Sequence, residues 1–522
     1  MQKRAFLAIT LSLAILFSWQ FLVQKLYHID NRTVTMETHY QESSKQAPDT
    51  SPFVLSSPAV NILPQKTEFA PIGILENEKL TLEFVNPGAK LNKVFIKDYK
   101  LFPNFNEILY TKANENKVYS FKKYNDNIEL SRDENGHSTL QNLSFTSSYY
   151  MRLVVTYKNA SNSNWTFNDS LALAAIPNNS NPQESRLYEV VFLSANTKRK
   201  NPLASKNRYV HSEAFDSLGF RDRYSCVIVK PQFKLPYTGY IQRYDTYTEV
   251  GLDLGALNVP ANSQLTLEYT VYCGPQDINF LNQGQSGFED MVYYGRFDFI
   301  STSLLSVMNF FHKIFHSRGV ALILLSIFTF LMLYPLTLKQ MRSMKDMQAI
   351  QPQVKALQNT YKDNPQKLNR EIMELYRHHK VNPLGGCLPM ILQIPIFFGL
   401  YQALSRSIVL KGSQFLWMKD LAEPDRLFML PYALPVIGKE INLLPILMGI
   451  GMFFQQKLTS KTSSVTPEMQ QQQKMMVVIF PFMFMFIFYH FPSGLALYWF
   501  TNTLLNTLSQ WKILKATIKP TT

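Results

Sequence analysis

A small set of hydrogen-bonding side chains interrupts otherwise apolar stretches in the second half of this 522-residue chain. Ser326 and Thr329 stand in one stretch, Gln393 and Gln402 in another, and Thr501, Asn502, Thr503, Asn506 and Thr507 in a third. An unsatisfied polar group in hydrocarbon is costly, so each must bond to a neighbouring helix or meet water. Interhelical bonding is the plain explanation for any one of them. Asn502 and Asn506, four residues apart, share one helix face. Together these positions could line a wet recess, whose chemistry would be hydrogen bonding to a polar segment passing through.

Covalent chemistry finds no foothold. The sequence offers no paired catalytic carboxylates, nucleophile elbow, phosphate-binding glycine loop or carboxylate relay, and no internal repeat of the kind transporters carry. Metal spacing such as CxxC is missing, and the adjacent His378 and His379 do not share a helix face. Neither an enzyme nor a cofactor is expected.

The polar positions need helices to hold them. Five apolar spans without acidic residues fall at 319–338, 386–405, 441–458, 475–490 and 494–511. The second follows Asn382-Pro383-Leu384-Gly385-Gly386-Cys387-Leu388-Pro389 and contains Pro395. Two prolines and two glycines at one span are tolerable only where protein or water covers the freed backbone groups. This span reads as the lining of something. The fourth, with Phe480, Phe482, Phe484, Phe486 and Phe488, is apolar all round and reads as a lipid-facing helix. Residues 427–437 are short, proline-broken and read as interfacial.

Charge supports a membrane orientation. Residues 24–317 hold 29 basic and 29 acidic residues, so the formal charge of +14 belongs to the remainder. Segment 339–385 has nine Lys/Arg against four Asp/Glu, segment 410–440 four against four, segment 457–474 three against one, and the tail from 512 three against none. Basic loops alternate, as expected when both termini are cytoplasmic. Nucleic-acid binding explains this distribution less well.

The remaining elements follow from periodicity. Residues 1–26 form an N-terminal transmembrane anchor, apolar from Ala5 to Val23 behind Lys3 and Arg4, rather than a cleaved signal peptide. Residues 27–70 are a Ser/Thr/Pro-rich flexible linker. In 71–290 apolar residues alternate, as in Leu80, Leu82 and Phe84, in Met151, Leu153, Val155 and Tyr157, and in Leu265, Leu267, Tyr269, Val271 and Cys273; this predicts an antiparallel β-sandwich. Cys226 and Cys273 could pair in an exported domain or stay as buried thiols, while Cys387 lies at a membrane boundary. Residues 291–317 predict an interfacial amphipathic helix, with Ile300, Leu304, Val307, Met308, Phe311, Ile314 and Phe315 as its apolar positions. Within the core, 318–512, a cytoplasmic helical hairpin spans 339–381, with Asp363-Asn364-Pro365 as its turn. Met341, Met344 and Met347 form a stripe that either packs within the hairpin or contacts varied partners. Residues 513–522 are a basic cytoplasmic tail.

Several motifs are now recognisable. Tyr334-Pro335-Leu336-Thr337, the Asn382–Pro389 run, Gln393-Ile394-Pro395, Leu444-Pro445-Ile446-Leu447-Met448 and Phe491-Pro492-Ser493-Gly494-Leu495-Ala496-Leu497-Tyr498-Trp499 resemble the YidC family of membrane-protein insertases in order and spacing. Tyr272-Cys273-Gly274-Pro275 and Tyr294-Gly295 resemble its Gram-negative form. The resemblance implies a multi-domain membrane protein: an N-terminal anchor, a periplasmic antiparallel β-sandwich, and an all-α core of five transmembrane helices in the bacterial inner membrane. It implies a hydrophilic groove, open to cytoplasm and lipid, that inserts and folds nascent membrane proteins alone or with the Sec translocon. Ribosomes would meet the basic loops and tail, the hairpin methionines would meet substrate, and lipids would surround the core. Ser326 and Gln393 match groove positions of the family; Thr501 and Asn502 are added from spacing; Thr329, Phe330 and Tyr498 complete the expected lining. The family generally has arginine where this chain has Phe330. Arg318, 12 residues away and about 18 Å along a helix, cannot replace it, and Arg406 is expected to snorkel outward. Without that charge the chain could instead be an assembly scaffold with weakened insertion; a transporter is the other alternative.

Overall fold

The computed structural model describes residues 70–517, except 106, 206, 285–286, 363, 380–387, 435–436 and 462–466. The expected anchor, most of the linker, Cys387, most of the Asn382–Pro389 run and the end of the tail lie outside the described residues.

Residues 70–275 form antiparallel sheets. A nine-stranded sheet carries Tyr150–Asn159 and Ser263–Pro275 as interior neighbours, a five-stranded sheet carries Trp165–Pro177 and Tyr247–Val259, and a three-stranded sheet spans Ala70–Ile96. The alternating rows recognised in the sequence meet in register. Leu267 opposes Val155, Tyr269 opposes Leu153 and Val271 opposes Met151, and all six side chains are buried. Period-two alternation puts one face of each strand inside, so a single register aligns both apolar rows.

The same parity decides the cysteines. Cys226 opposes Gly274 and Cys273 opposes Val227 on adjacent strands. Opposed residues share a face and successive ones alternate, so the two thiols project to opposite sides of the sheet. Both are free and buried. Burial pushes the Cys273 thiol up to about 12 and the Cys226 thiol well above its ordinary range.

Eight helices of ten residues or more follow among the described residues. They are α1 (Asp298–Phe315), α2 (Arg318–Ala349), α3 (Gln351–Thr360), α4 (Pro365–His378), α5 (Leu388–Arg406), α6 (Leu443–Lys461), α7 (Pro467–Phe488) and α8 (Ser493–Thr517). Of these, α2 over Arg318–Ser343 has the length and apolar character to cross a bilayer; the apolar stretches Leu443–Leu458 and Val477–Phe488 are shorter. The expected hairpin forms from α3 and α4, with α2 running into it unbroken. Its turn signal acts as read: Asn364 accepts a bond from the Lys367 amide and Pro365 opens α4.

Two expectations need correction, and residues 427–437, read as interfacial and not as a span, gain a detail. Helix α7 is not apolar for lipid alone. Phe480, Phe484 and Phe488, four apart, pack inward, with Phe484 and Phe488 against Trp499, while Phe482 and Phe486 are exposed. Residues 427–437 contain a strand: Phe428–Leu434 pairs with Gly438–Ile441. Arg406 does not snorkel; it bonds Glu189 of the β-domain at 3.2 Å and the Tyr293 carbonyl at 3.3 Å.

Candidate functional site

The predicted polar residues converge on Tyr498. The fully buried Ser326 hydroxyl donates to the Leu322 carbonyl at 2.8 Å and lies 3.4 Å from the Tyr498 carbonyl. The Thr329 hydroxyl, also buried, is 3.1 Å from the Tyr498 phenol oxygen. The Gln393 and Asn502 side chains lie near the same phenol. Three helices, α2, α5 and α8, thus meet at one side chain.

Their depths agree. Counting from the helix ends nearest the β-domain at 1.5 Å per residue, Ser326 and Thr329 lie about 12–17 Å in, Asn502 about 13 Å and Gln393 about 20 Å. Half the thickness of a hydrocarbon core is about 15 Å.

Exposure grades across the cluster. Ser326, Thr329 and Tyr498 are buried, whereas Gln393, Thr501, Asn502 and Phe330 are partly exposed. Thr501 donates to the Leu497 carbonyl at 2.8 Å, Asn502 to the Tyr498 carbonyl at 3.1 Å and Asn506 to the Asn502 carbonyl at 2.9 Å. Each bond uses a carbonyl of the same helix, so the side-chain amide oxygens keep acceptor capacity. Phe330 stacks loosely on Tyr334, ring centres 5.5 Å apart. In the hairpin region Met341 is partly buried; the Met344 and Met347 side chains lie outside the described ones.

Helix α5 explains the opening. Its half nearest the β-domain is packed, with Leu400, Ala403 and Leu404 wholly buried, and Ser301 of α1 donates to the Gly399 carbonyl at 2.7 Å. Gln402 faces this junction too, 3.4 Å from the Phe297 amide, and so braces α1 and not the recess. As a whole α5 packs sparsely on α2 and α8, and toward its other end Ile394 is exposed.

The β-domain end is sealed. The connection from Ser407 to Asn442 lies across it, burying Leu410, Met418, Leu421 and Ala422. It caps α8 through Ser493 N to the Glu423 carbonyl (2.7 Å) and Gly494 N to the Leu421 carbonyl (2.9 Å). Asp425 caps α6 at the Leu444 amide, 2.7 Å, and accepts from the Trp417 indole at 3.2 Å. Gly319 is required beneath it, because a Cβ there would strike the Phe415 ring.

Sequence reasoning missed the bracket holding this end to the β-domain. Glu189 takes Arg221 at 2.7 Å, Arg406 at 3.2 Å and Arg199 at 3.6 Å. Burial alone would raise its pKa, but Arg221, Arg406 and Arg199 outweigh it and hold the carboxyl below the usual range. Arg223 adds bonds to the Ser405 and Ala422 carbonyls at 2.9 and 3.2 Å. The charges are scattered over more than 200 residues, so no local pattern could have signalled them.

Residues 95–307 match the YidC periplasmic domain and residues 310–520 match the 60Kd inner membrane protein family. "Membrane protein insertase YidC" of Pelobacter propionicus is 42% identical over 260 residues, covering 50% of this chain and 46% of that protein. The one from Endomicrobium trichonymphae is 41% identical over 251 residues, covering 48% and 46%. The one from Magnetococcus marinus is 36% identical over 306 residues, covering 57% and 51%. The aligned region thus spans about half the length of these relatives. A solved structure described as an active YidC insertase with its first transmembrane domain resolved aligns at 18% identity and TM-score 0.39, covering 85% of this chain and 95% of that one. With both family matches lying end to end over the β-domain and the helical core, the chain belongs to the YidC family, in the form that carries a periplasmic domain.

Proposed function

We propose that this chain is an insertase and folding chaperone of the bacterial inner membrane. Its helical core crosses the membrane five times, with an anchor before the β-domain and both termini in the cytoplasm. The recess bounded by Gln393, Phe330, Thr501 and Asn502 receives the polar segment of a nascent membrane protein. Ser326, Thr329 and Tyr498 form its floor, and the Ser407–Asn442 connection keeps it shut toward the periplasm. Hydrogen-bonding capacity in the recess lowers the cost of bringing peptide groups into hydrocarbon. Burial of about 20 apolar residues of the client then drives insertion, so no nucleotide is needed. The α3–α4 hairpin, with Met341, Met344 and Met347 at its approach, meets the emerging chain; basic loops and tail meet the ribosome; the Sec translocon works alongside.

One observation carries this reading: polar side chains of three helices meet at mid-depth on Tyr498, half-exposed on one side and covered at the β-domain end. Photo-crosslinkers at Gln393, Thr501 and Asn502, with a small membrane protein translated alongside, test it. The nascent chain should be labelled from all three, and not from Leu421 in the seal. Labelling only of finished complexes would make the chain a scaffold, and solute flux in vesicles would make it a transporter.

A further inference from the structure

A separate cavity, of about 350 Å³, lies where the end of the β-domain, α1 and the start of α2 meet. Its lining includes Asp277, Asn279, Ser306, Asn309, Lys313 and Arg318. Arg318 is partly buried and donates to Asn309 Oδ1 at 2.8 Å. Neither Arg318 nor Lys313 has a carboxylate within 4.0 Å among the described residues. The lining carboxylate, Asp277, already accepts from the backbone amide and side-chain amide of Asn279 through one oxygen, at 2.9 and 2.8 Å. His312 Nδ1 is buried at the same wall, beside the Ser317 backbone and without a hydrogen bond of proper geometry. The cavity therefore carries two cations, neither in a direct ion pair, against one carboxylate, Asp277, which attracts Arg318 at longer range.

Its position on α1 narrows the ligand. At 100° per residue, Thr302, Ser306, Asn309 and Lys313 form one flank of the helix. Phe299, Phe310 and Ile314 form the next face, and they are 83%, 60% and 53% exposed. A helix lying in a bilayer surface puts such an apolar face among acyl chains and the adjoining flank at headgroup depth. Arg318 opens the membrane-crossing helix at that same level. A guanidinium there matches phosphate oxygens with paired, charge-assisted bonds.

We propose that this cavity binds the phosphate of a phospholipid headgroup between Arg318 and Lys313, with Asn309 and Asn279 toward the rest of the headgroup. The site rests on the reading above that α1 lies at the periplasmic membrane surface. A bound lipid would fasten the β-domain, α1 and α2 at one point, supplying a second anion beside Asp277 for the two cations.

The test uses the full chain purified in detergent, with dihexanoyl phosphatidylglycerol as probe and native mass spectrometry as readout. The wild type should retain a phospholipid that Arg318→Gln loses, and probe affinity should weaken about tenfold. Lys313→Gln, an exposed change that leaves the fold intact, should weaken it in the same direction. Lys419→Gln, an exposed lysine elsewhere, should change nothing. Equal lipid retention by the wild type, Arg318→Gln and Lys313→Gln overturns the proposal. So does inorganic phosphate displacing the probe as well as lipid does, since the occupant is then a free anion. Labelling Ser306→Cys from the periplasm with an impermeant maleimide tests the orientation separately. Labelled cysteine without lipid binding defeats this site alone, and unlabelled cysteine defeats the topology beneath it.

Discussion

The β-domain ties its buried polar side chains to distant partners, whereas the partly exposed polar side chains of the core's recess bond within their own helix. In the β-domain the buried carboxylate of Glu249 accepts from Tyr110 at 2.5 Å, Tyr240 at 2.9 Å and Lys112 at 3.1 Å, partners drawn from 9 to 139 residues away. Asp169 likewise binds Tyr157 and the Ala113 amide. In the core, Thr501, Asn502 and Asn506 bond to carbonyls four residues back on their own helix. Polar groups with distant partners weld a structure together, because removing either side strands the other. Groups satisfied locally hold little tertiary structure, and their spare acceptors remain open to a visiting chain. The first pattern belongs to a scaffold and the second to a site.

The strongest attempt to break this contrast is Glu249→Ala. It leaves the Tyr110 and Tyr240 phenols unpaired in the interior, removes one of the two carboxylates on Lys112, and should destabilise the β-domain by about 3–5 kcal/mol, measured by urea unfolding. An effect below about 1 kcal/mol would dissolve the distinction. Next comes Glu189→Ala, which strands the nearly inaccessible Arg221; a loss of about 3 kcal/mol is expected, seen as earlier protease cleavage between β-domain and core. The same bracket has a pH signature. Its carboxyl titrates lower folded than unfolded, so its contribution is complete above the ordinary glutamate range. It fades as pH falls through that range toward the depressed folded value. Thermal melts in mildly acidic buffer should show the fall in wild type and a flatter profile in Glu189→Gln.

In the core the expected order reverses, with function moving more than stability. Asn502→Leu should alter unfolding by no more than about 1 kcal/mol yet reduce nascent-chain crosslinking from Gln393. Unchanged crosslinking would remove Asn502 from the recess. The smallest change is Phe330→Arg. It should leave folding unaltered and favour clients with acidic outer tails, measured as inserted fraction against clients with neutral tails. Equal insertion of both would show that charge at this position does nothing here.

Legibility in the sequence followed the range of the interaction. The rows Met151–Tyr157 and Leu265–Cys273 declared themselves by alternation, and their partnership followed once strands were placed side by side. Asn364-Pro365 marked a helix start because capping involves neighbours. Ser326, Gln393 and Asn502 stood out because polar residues in apolar spans are costly. Their meeting at Tyr498 was beyond reach, since spacing along one helix does not fix its rotation against another. Arg406 read as a membrane-edge residue because its partner, Glu189, is 217 residues away. The phenylalanines of α7 read as uniform because composition does not say which side faces Trp499.

The sequence by itself determined that the chain has a neutral, strand-forming half and a basic, apolar, helical half, since alternation, helix caps and the charge of loops are properties of neighbours in the chain. Tertiary structure alone decided that Cys226 and Cys273 face apart and that three helices share one tyrosine. It also decided that the connection after Arg406 closes the end beneath the β-domain. Those outcomes depend on register, helix rotation and contacts between residues hundreds of positions apart, which packing sets and local preference does not.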